Sequence, residues 1–363
     1  MKYKLKDLVT IQYGKNQKAV EDNENGKVPI LGTGGTIGYA TNFLYDKPSV
    51  LIGRKGTIDK IRYVDFPFWT IDTLFYTEIN QKLVIPQYLY YKLLEINFKN
   101  LNEGTTIPSL RTQTLYELEL DIDSIDKQNK IVNILSLIDK KIEYNMHTNN
   151  NLLEIGKSLY QKYFENDKYT NNYEIKQLSE VTTNNRNKVN KYREYKVLSA
   201  VNTGNLVLSD DYFDKQVYSK DIGKYLNVNK NDFAYNPARI NIGSIGLNTF
   251  DYNCCVSPVY VTFSVDKDYI DFFDFYFKSK KFNAEVTLRA SGSVRQALNY
   301  NDFGMIEIPY PSREIIDKFN NSYIKIKNRI NKNKTKIRNL EQLRDTLLPK
   351  LMNGEIDLDK VEI

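Results

Sequence analysis

The chain has 363 residues, 41% hydrophobic and 26% charged, which sets it among globular proteins of one large domain or two to three ordinary ones. It contains no run of about 18 apolar residues, so no membrane span is expected, and its two cysteines, the adjacent Cys254 and Cys255, exclude a disulfide framework and a four-ligand zinc site. Of the net charge of +6, +4 lies in residues 312–363, with 12 Lys/Arg against 8 Asp/Glu, and so local an excess does not by itself indicate nucleic acid.

Met1 to Gly14 alternates charged with apolar residues and lacks the apolar stretch of a signal peptide, so a cytoplasmic protein is expected. Strands are predicted at Ser49–Ile52 and Leu74–Ile79, and a short helix at Pro86–Phe98. Leu118-Glu119-Leu120 reads as a strand leading into a turn. A long helix then follows, with a stripe at Ile131, Leu135, Ile138, Ile142, Asn145, Asn149, Leu152, Gly156 and Leu159. The steps alternate four and three, which is the seam of a coiled coil or one face of a bundle helix. Further strands are predicted at Glu194–Ala200 and Val256–Ser264, and a helix at Asp271–Lys278. Met305 to Pro309 reads as a strand entering the rigid turn Pro309-Tyr310-Pro311-Ser312.

The second long helix repeats the first. Its stripe runs Phe319, Tyr323, Ile326, Ile330, Asn333, Ile337, Leu340, Arg344 and Leu347, each 188 positions after its counterpart. Asn145 and Asn333 occupy matching seam positions. A polar seam residue costs stability but can fix register, so these two are expected to set the register of a helix pair. The repeat reaches beyond the helices. Gly56-Thr57-Ile58 answers to Gly243-Ser244-Ile245 at 187, and Gly104 to Gly292 at 188. Near the start, Tyr3 to Leu8 echoes Tyr173 to Leu178 at 170, so the second half holds insertions. The expected fold is α+β: two mixed α/β domains alternating with two long helices that pair as an antiparallel coiled coil, in a pseudo-twofold internal repeat. The expected boundaries are 1–122, 123–170, 171–311 and 312–363.

Catalytic machinery does not stand out. The single histidine, His147, lies on the first long helix between Asn145 and Asn149, where it reads as a solvated or seam residue. Cys254 and Cys255 read as small buried residues beside a strand. Gly32-Thr33-Gly34-Gly35-Thr36-Ile37-Gly38 spaces its glycines wrongly for a dinucleotide site, and no Walker-type Gly-Lys-Ser/Thr occurs. Asn236-Pro237-Ala238-Arg239 begins like the catalytic tetrapeptide of amino-methyltransferases but lacks the ring that stacks on a flipped base.

Several strings do resemble one family. In the first half, Leu51-Ile52-Gly53-Arg54-Lys55-Gly56-Thr57-Ile58, Phe68-Trp69-Thr70-Ile71-Asp72-Thr73-Leu74 and Gly104-Thr105-Thr106-Ile107-Pro108-Ser109-Leu110 are similar to strings in the target-recognition domains of Type I restriction–modification specificity subunits. In the second half, Tyr235 to Gly246, Val256-Ser257-Pro258-Val259-Tyr260-Val261 and Gly292-Ser293-Val294-Arg295-Gln296 resemble another subtype of the same domain. The ending from Leu340 to Ile356 is also like the family's, with Leu153 to Tyr160 as its counterpart in the first helix.

The resemblance implies a non-catalytic subunit that reads an asymmetric bipartite site on double-stranded DNA, one target-recognition domain per half-site. About 30 helical residues span about 45 Å, and successive DNA turns lie about 34 Å apart, so the helix pair would act as a ruler. Two methyltransferase subunits would dock on the helices, and restriction/translocase subunits would join the full complex. This chain would bind no cofactor: S-adenosylmethionine and ATP would belong to the partners. Arginine pairs well with guanine, and Asn or Gln with adenine. The expected DNA-contacting residues are Arg54, Lys55, Thr57, Thr105, Thr106, Ser109 and Arg111 in the first domain. In the second they are Asn236, Arg239, Asn241, Ser244, Ser293, Arg295 and Gln296. The alternatives are an orphan or Type II-like specificity subunit, or a coiled-coil adaptor that does not touch DNA. The basic stretch Lys325–Arg338 reads first as a solvated helix face, with DNA or partner contact behind it.

Overall fold

The computed structural model describes residues 1–166, 173–213, 216–289 and 297–358. It forms two compact units that do not follow chain order: residues 1–146 with 334–363, and residues 147–333. Each unit takes part of both long helices.

In the first unit the elements are β1 (Lys2–Lys4), α1 (Leu5–Leu8), β2 (Val9–Tyr13), β3 (Val28–Gly32), β4 (Gly35–Ala40), β5 (Ser49–Gly53), β6 (Ile61–Val64), β7 (Trp69–Thr70), β8 (Leu74–Ile79), α2 (Pro86–Leu94), α3 (Thr112–Tyr116) and β9 (Glu119–Asp121). They make sheets of order β2-β8-β5-β6, β4-β3-β7 and β1-β9. Strand β5 is buried along its whole length because both of its faces are covered. Successive side chains point to opposite faces, so Val50 and Ile52 enter one core while Leu51 enters another with Leu31, Phe68 and Leu74. The first core also takes Leu5 and Leu8 of α1, Tyr88 and Leu89 of α2, and side chains from both long helices: Ile131 and Leu135 on one, Leu348 and Leu351 on the other. The Gly-rich string at Gly32–Gly38 is a β-hairpin, β3 and β4 with their turn, not a nucleotide loop.

The long helices are α4 (Ile125–Phe164) and a second one at Arg313–Met352. Both are 40 residues long, and their ends differ by the 188 positions of the sequence repeat. Within the first unit they run antiparallel, with Arg344 Nη1 on Asp139 Oδ1 at 3.1 Å. Within the second, Tyr160 and Phe164 pack with Ile316, Phe319 and Tyr323, and Asn333 Nδ2 donates to Asn149 Oδ1 at 3.0 Å. Every position of both predicted stripes is buried or half-buried. The register role expected of Asn145 and Asn333 is divided differently. Antiparallel packing sets Asn333 against Asn149, while Asn145 donates to the Lys141 carbonyl of its own helix at 2.6 Å. The Lys325–Arg338 cations stand on the exposed side of the second helix, apart from half-buried Lys327, which pairs with Asp271 at 2.5 Å.

The second unit holds β10 (Glu174–Gln177), α5 (Leu178–Val181), β11 (Thr182–Asn184), β12 (Lys196–Val201), β13 (Asn205–Leu208), α6 (Ser209–Tyr212), β14 (Leu226–Val228), β15 (Phe233–Tyr235), β16 (Ile245–Leu247), β17 (Cys254–Val256), β18 (Val261–Val265), α7 (Ile270–Tyr276), α8 (Lys280–Arg289), α9 (Tyr300–Gly304) and β19 (Glu307–Tyr310); the Arg313–Met352 helix is α10. The sheet orders are β11-β18-β15-β16, β13-β12-β17-β14 and β10-β19. The strand expected over Val256–Ser264 is two strands, because Ser257 to Tyr260 makes a turn closed by Tyr260 N on Ser257 O at 3.0 Å. The core is strongly aromatic, with Phe233, Phe263, Phe273, Phe277, Phe282 and Phe303 all within it.

The two halves share a frame. Strand β1 pairs with β9 as β10 pairs with β19. Leu5 N donates to Leu118 O at 2.8 Å, and Leu178 N to Ile306 O at 2.9 Å. Leu118 and Ile306 keep the 188 offset, so Leu5 answers to Leu178 at 173, and the echo read at 170 is three residues out of register. The caps agree: Asp7 accepts from Lys4 N, and Glu180 from Gln177 N.

Candidate nucleic-acid interface

The fully buried strand β5 ends at Gly53 and releases the chain into the loop Arg54–Asp59. Arg54 N and Lys55 N donate to Thr73 O at 2.8 and 3.3 Å, while Leu110 N donates to Arg54 O and Gly56 N to Pro108 O, both at 2.9 Å. The strings at 54–57 and 104–111, distant in sequence, are thereby laced into one surface. Gly56 sits at φ +82° and its repeat counterpart Gly243 at φ +86°, a region that favours glycine. Gly104 has a different reason to be small: a Cβ there would meet the Ile107 carbonyl oxygen at 1.9 Å.

The side chains are held to different degrees. Arg54 lies over the Tyr13 ring, 4.9 Å from its centroid, and its Nη1 donates to Asp72 O at 2.9 Å. Arg111 Nε meets Glu103 Oε2 at 3.2 Å, and Glu103 also accepts from the Thr114 hydroxyl. Asn102 Oδ1 accepts from Gly104 N and Ser109 N, both at 2.9 Å, which fixes the shape of the turn. Lys55, Thr105, Thr106 and Arg111 are exposed, whereas Arg54, Thr57 and Ser109 are half-buried. Tyr13, Asp72, Asn102 and Glu103 were not singled out in the sequence. Glu103 stood beside a recognised glycine, but nothing local links Tyr13 to Arg54.

In the second half, β15 delivers Asn236 to Arg239. Asn236 N donates to Ser244 O at 3.0 Å, Arg239 N to Asn236 O at 2.9 Å and Ser244 N to Arg239 O at 3.2 Å, making a compact loop around the short turn Ile240–Ile242. Leu298 N donates to Pro237 O at 3.0 Å and carries the chain after the second Gly string to this loop. Arg239 is exposed, and Asn236 and Asn241 are half-buried. Ser244 is only 2% exposed, so its part is to close the loop through its backbone and its hydroxyl is shut away from any ligand. Ser293, Arg295 and Gln296 lie outside the described residues.

His147 is exposed on α4. Cys254 and Cys255 are both fully buried, and burial pushes their thiols up to about 11 and about 12, so they stay protonated and unreactive near neutrality. Among the described residues no group of three His, Cys, Asp or Glu could hold a metal ion, and no helix is long and apolar enough to cross a membrane.

Two mixed α/β units, one repeated frame and a pair of long helices make up the fold. The Type I restriction modification DNA specificity domain matches residues 1–154. The Type I restriction enzyme MjaIX specificity subunit of Methanocaldococcus jannaschii is 23% identical over 352 residues, covering 88% of this chain and 80% of that protein. The HindI specificity subunit of Haemophilus influenzae is 29% identical over 107 residues, 28% of this chain and 23% of the relative. In fold, the crystal structure of the Type-I restriction-modification S subunit from M. genitalium aligns at a TM-score of 0.57 and 18% identity, covering 97% of this chain and 95% of the other. The resemblance to Type I specificity subunits is thus carried by sequence and by fold.

Proposed function

We propose that the chain is the sequence-reading, non-catalytic subunit of a Type I restriction–modification complex. Residues 1–122 and 171–311 would each recognise one half of an asymmetric bipartite site on double-stranded DNA. Residues 123–170 and 312–363 would supply the helices that set the half-site separation and dock two methyltransferase subunits. Restriction/translocase subunits would complete the assembly, with S-adenosylmethionine and ATP held by the partners, in the cytoplasm. The observation that supports this reading is the lacing of two distant strings into one donor-bearing surface in the first half, Leu110 N on Arg54 O, with Leu298, the repeat counterpart of Leu110, bonding Pro237 O in the second. Such loops suit groove reading because small residues permit close approach and Arg, Asn and Thr supply donors and acceptors.

Arg54, Lys55, Thr57, Thr105, Thr106, Ser109 and Arg111 are assigned to the first half-site. Asn236, Arg239, Asn241, Ser293, Arg295 and Gln296 are assigned to the second. The test is co-expression with a partner methyltransferase subunit and single-molecule sequencing of the host DNA for methylated bases. A gapped, asymmetric motif that vanishes when this chain is deleted supports the proposal. No motif, despite a stable complex and an active partner, refutes it.

A further inference from the structure

Beside the first reading loop lies a cavity of about 250 Å³, lined among others by Gly32, Thr33, Lys60 and Arg62, with Leu51 and Leu74 as apolar wall. Arg62 stands on β6, opposite Leu51 in the ladder, and is half-buried. Burial holds its guanidinium below the usual arginine range. Among the described residues no carboxylate pairs with it. The carboxylate that lines the same cavity, Asp59, is bound by Lys99 at 2.9 Å, and that bond holds it below the ordinary carboxylate range. A charge taken partly out of water without a counter-ion costs stability, so Arg62 together with Lys60 makes a site short of one anion. The volume is below the roughly 300 Å³ of ordinary small-molecule sites, which suits one charged group better than a whole nucleotide.

The position of the cavity selects the anion. Its rim is the loop from β5 to β6, the same loop that carries Arg54, Lys55 and Thr57. A duplex lying on that loop presents a phosphate about every 1.7 Å of its axis. We propose that the cavity receives a backbone phosphodiester flanking the bases read by the Arg54–Thr57 loop, with Arg62 and Lys60 as the charges that hold it. This rests on the reading of the chain as a DNA-specificity subunit. The contact fixes the position of the duplex without reading sequence.

The experiment uses the assembled complex of this chain with its methyltransferase subunits and a fluorescent cognate duplex, titrated across salt concentrations. Arg62→Gln is expected to reduce the slope of log affinity against log salt by about 0.9. It should weaken the cognate duplex and a single-base mismatch by the same factor. Lys60→Gln, an exposed change that does not threaten the fold, should act in the same direction. A methylphosphonate at one flanking phosphate should weaken binding by the wild type and add nothing to Arg62→Gln. An unchanged slope in both variants, with the methylphosphonate costing wild type and variant alike, overturns the inference alone. So does a wild-type slope accompanied by loss of the methyltransferase subunits, which would assign the cavity to a protein carboxylate. A wild-type complex that binds no duplex specifically overturns the parent reading and this inference with it.

Discussion

Asp139 on α4 joins three helices of the first unit, and its removal has a calculable cost. Its carboxylate accepts from the Tyr91 hydroxyl of α2 at 2.6 Å and from Arg344 of α10 at 3.1 Å. Tyr91 is fully buried; burial first, and then the Asp139 carboxylate, hold its phenol far above the ordinary range. Asp139→Ala would take away the acceptor of the Tyr91 O–H, leaving only the Gln87 Nε2 donor at 3.5 Å, at about 1–3 kcal/mol. The ion pair adds less than about 1 kcal/mol, because Arg344 and Asp139 remain 23% and 25% exposed and Arg344 retains Asp345 at 3.0 Å. The expected total is about 1–4 kcal/mol, or a fall of roughly 2–16 °C in the melting of the first unit. Differential scanning calorimetry of the chain would measure it. In a Tyr91→Phe background no hydroxyl is stranded, so Asp139→Ala should cost under about 1 kcal/mol. An equal loss in both backgrounds, or one below about 0.5 kcal/mol in the wild type, would refute the reasoning.

Other expectations concern the loops, the seam and the thiols. Gly104→Ala forces the 104–107 turn apart and should lower affinity for the cognate duplex at least about tenfold, read by anisotropy with the assembled complex. Arg239→Ala removes an exposed side chain that makes no ion pair among the described residues; it should leave the melting temperature unchanged and cost about 1–3 kcal/mol of specific binding. Unchanged affinity would strike Arg239 from the contacts. Asn149→Leu leaves the buried Asn333 amide without its acceptor and should destabilise the second unit by about 1–3 kcal/mol, whereas the Asn149→Leu/Asn333→Leu pair should recover most of the loss in a denaturation series. For Cys254 and Cys255 the folded values lie above the ordinary 9.0. Their contribution is therefore complete below pH 9 and is lost as pH rises through about 11 and 12, because the unfolded thiols ionise first. Native protein should resist alkylation at pH 8, and labelling there would contradict the burial.

The long helices were legible because their signal is periodic and doubled: Ile131 to Leu159 and Phe319 to Leu347 each state a seam, and one confirms the other. Strand β5 was legible as an unbroken apolar run. The pairing of Asn333 with Asn149 was not, since sequence offset finds equivalent residues, whereas an antiparallel pair brings together residues from opposite directions. The slip at the start of the second half has a similar cause. Tyr173 resembles Tyr3 in type, but the backbone bonds Leu178, not Ile175, to Ile306, the counterpart of the Leu118 that Leu5 meets. In the interface, glycines marked the loops because backbone geometry restricts those positions to small residues. The groups that brace the loops, Tyr13 under Arg54 and Asp72 behind it, come from other strands and leave no local trace.

The offset between the halves changes twice, and almost all of the change falls in one stretch. It is 173 at α1 and α5, 187 at Gly56 and Gly243, and 188 from Leu118 and Ile306 through the ends of the long helices. Of the fifteen extra residues (188 − 173), fourteen (187 − 173) fall between the first short helix and the glycine turn, and one falls between that turn and Leu110 or Leu298. Upstream of Leu8 or Val181, and downstream of Leu110 or Leu298, the frame has fixed splice points. The segment between them absorbs the whole difference in length, while the two 40-residue helices keep one offset from end to end.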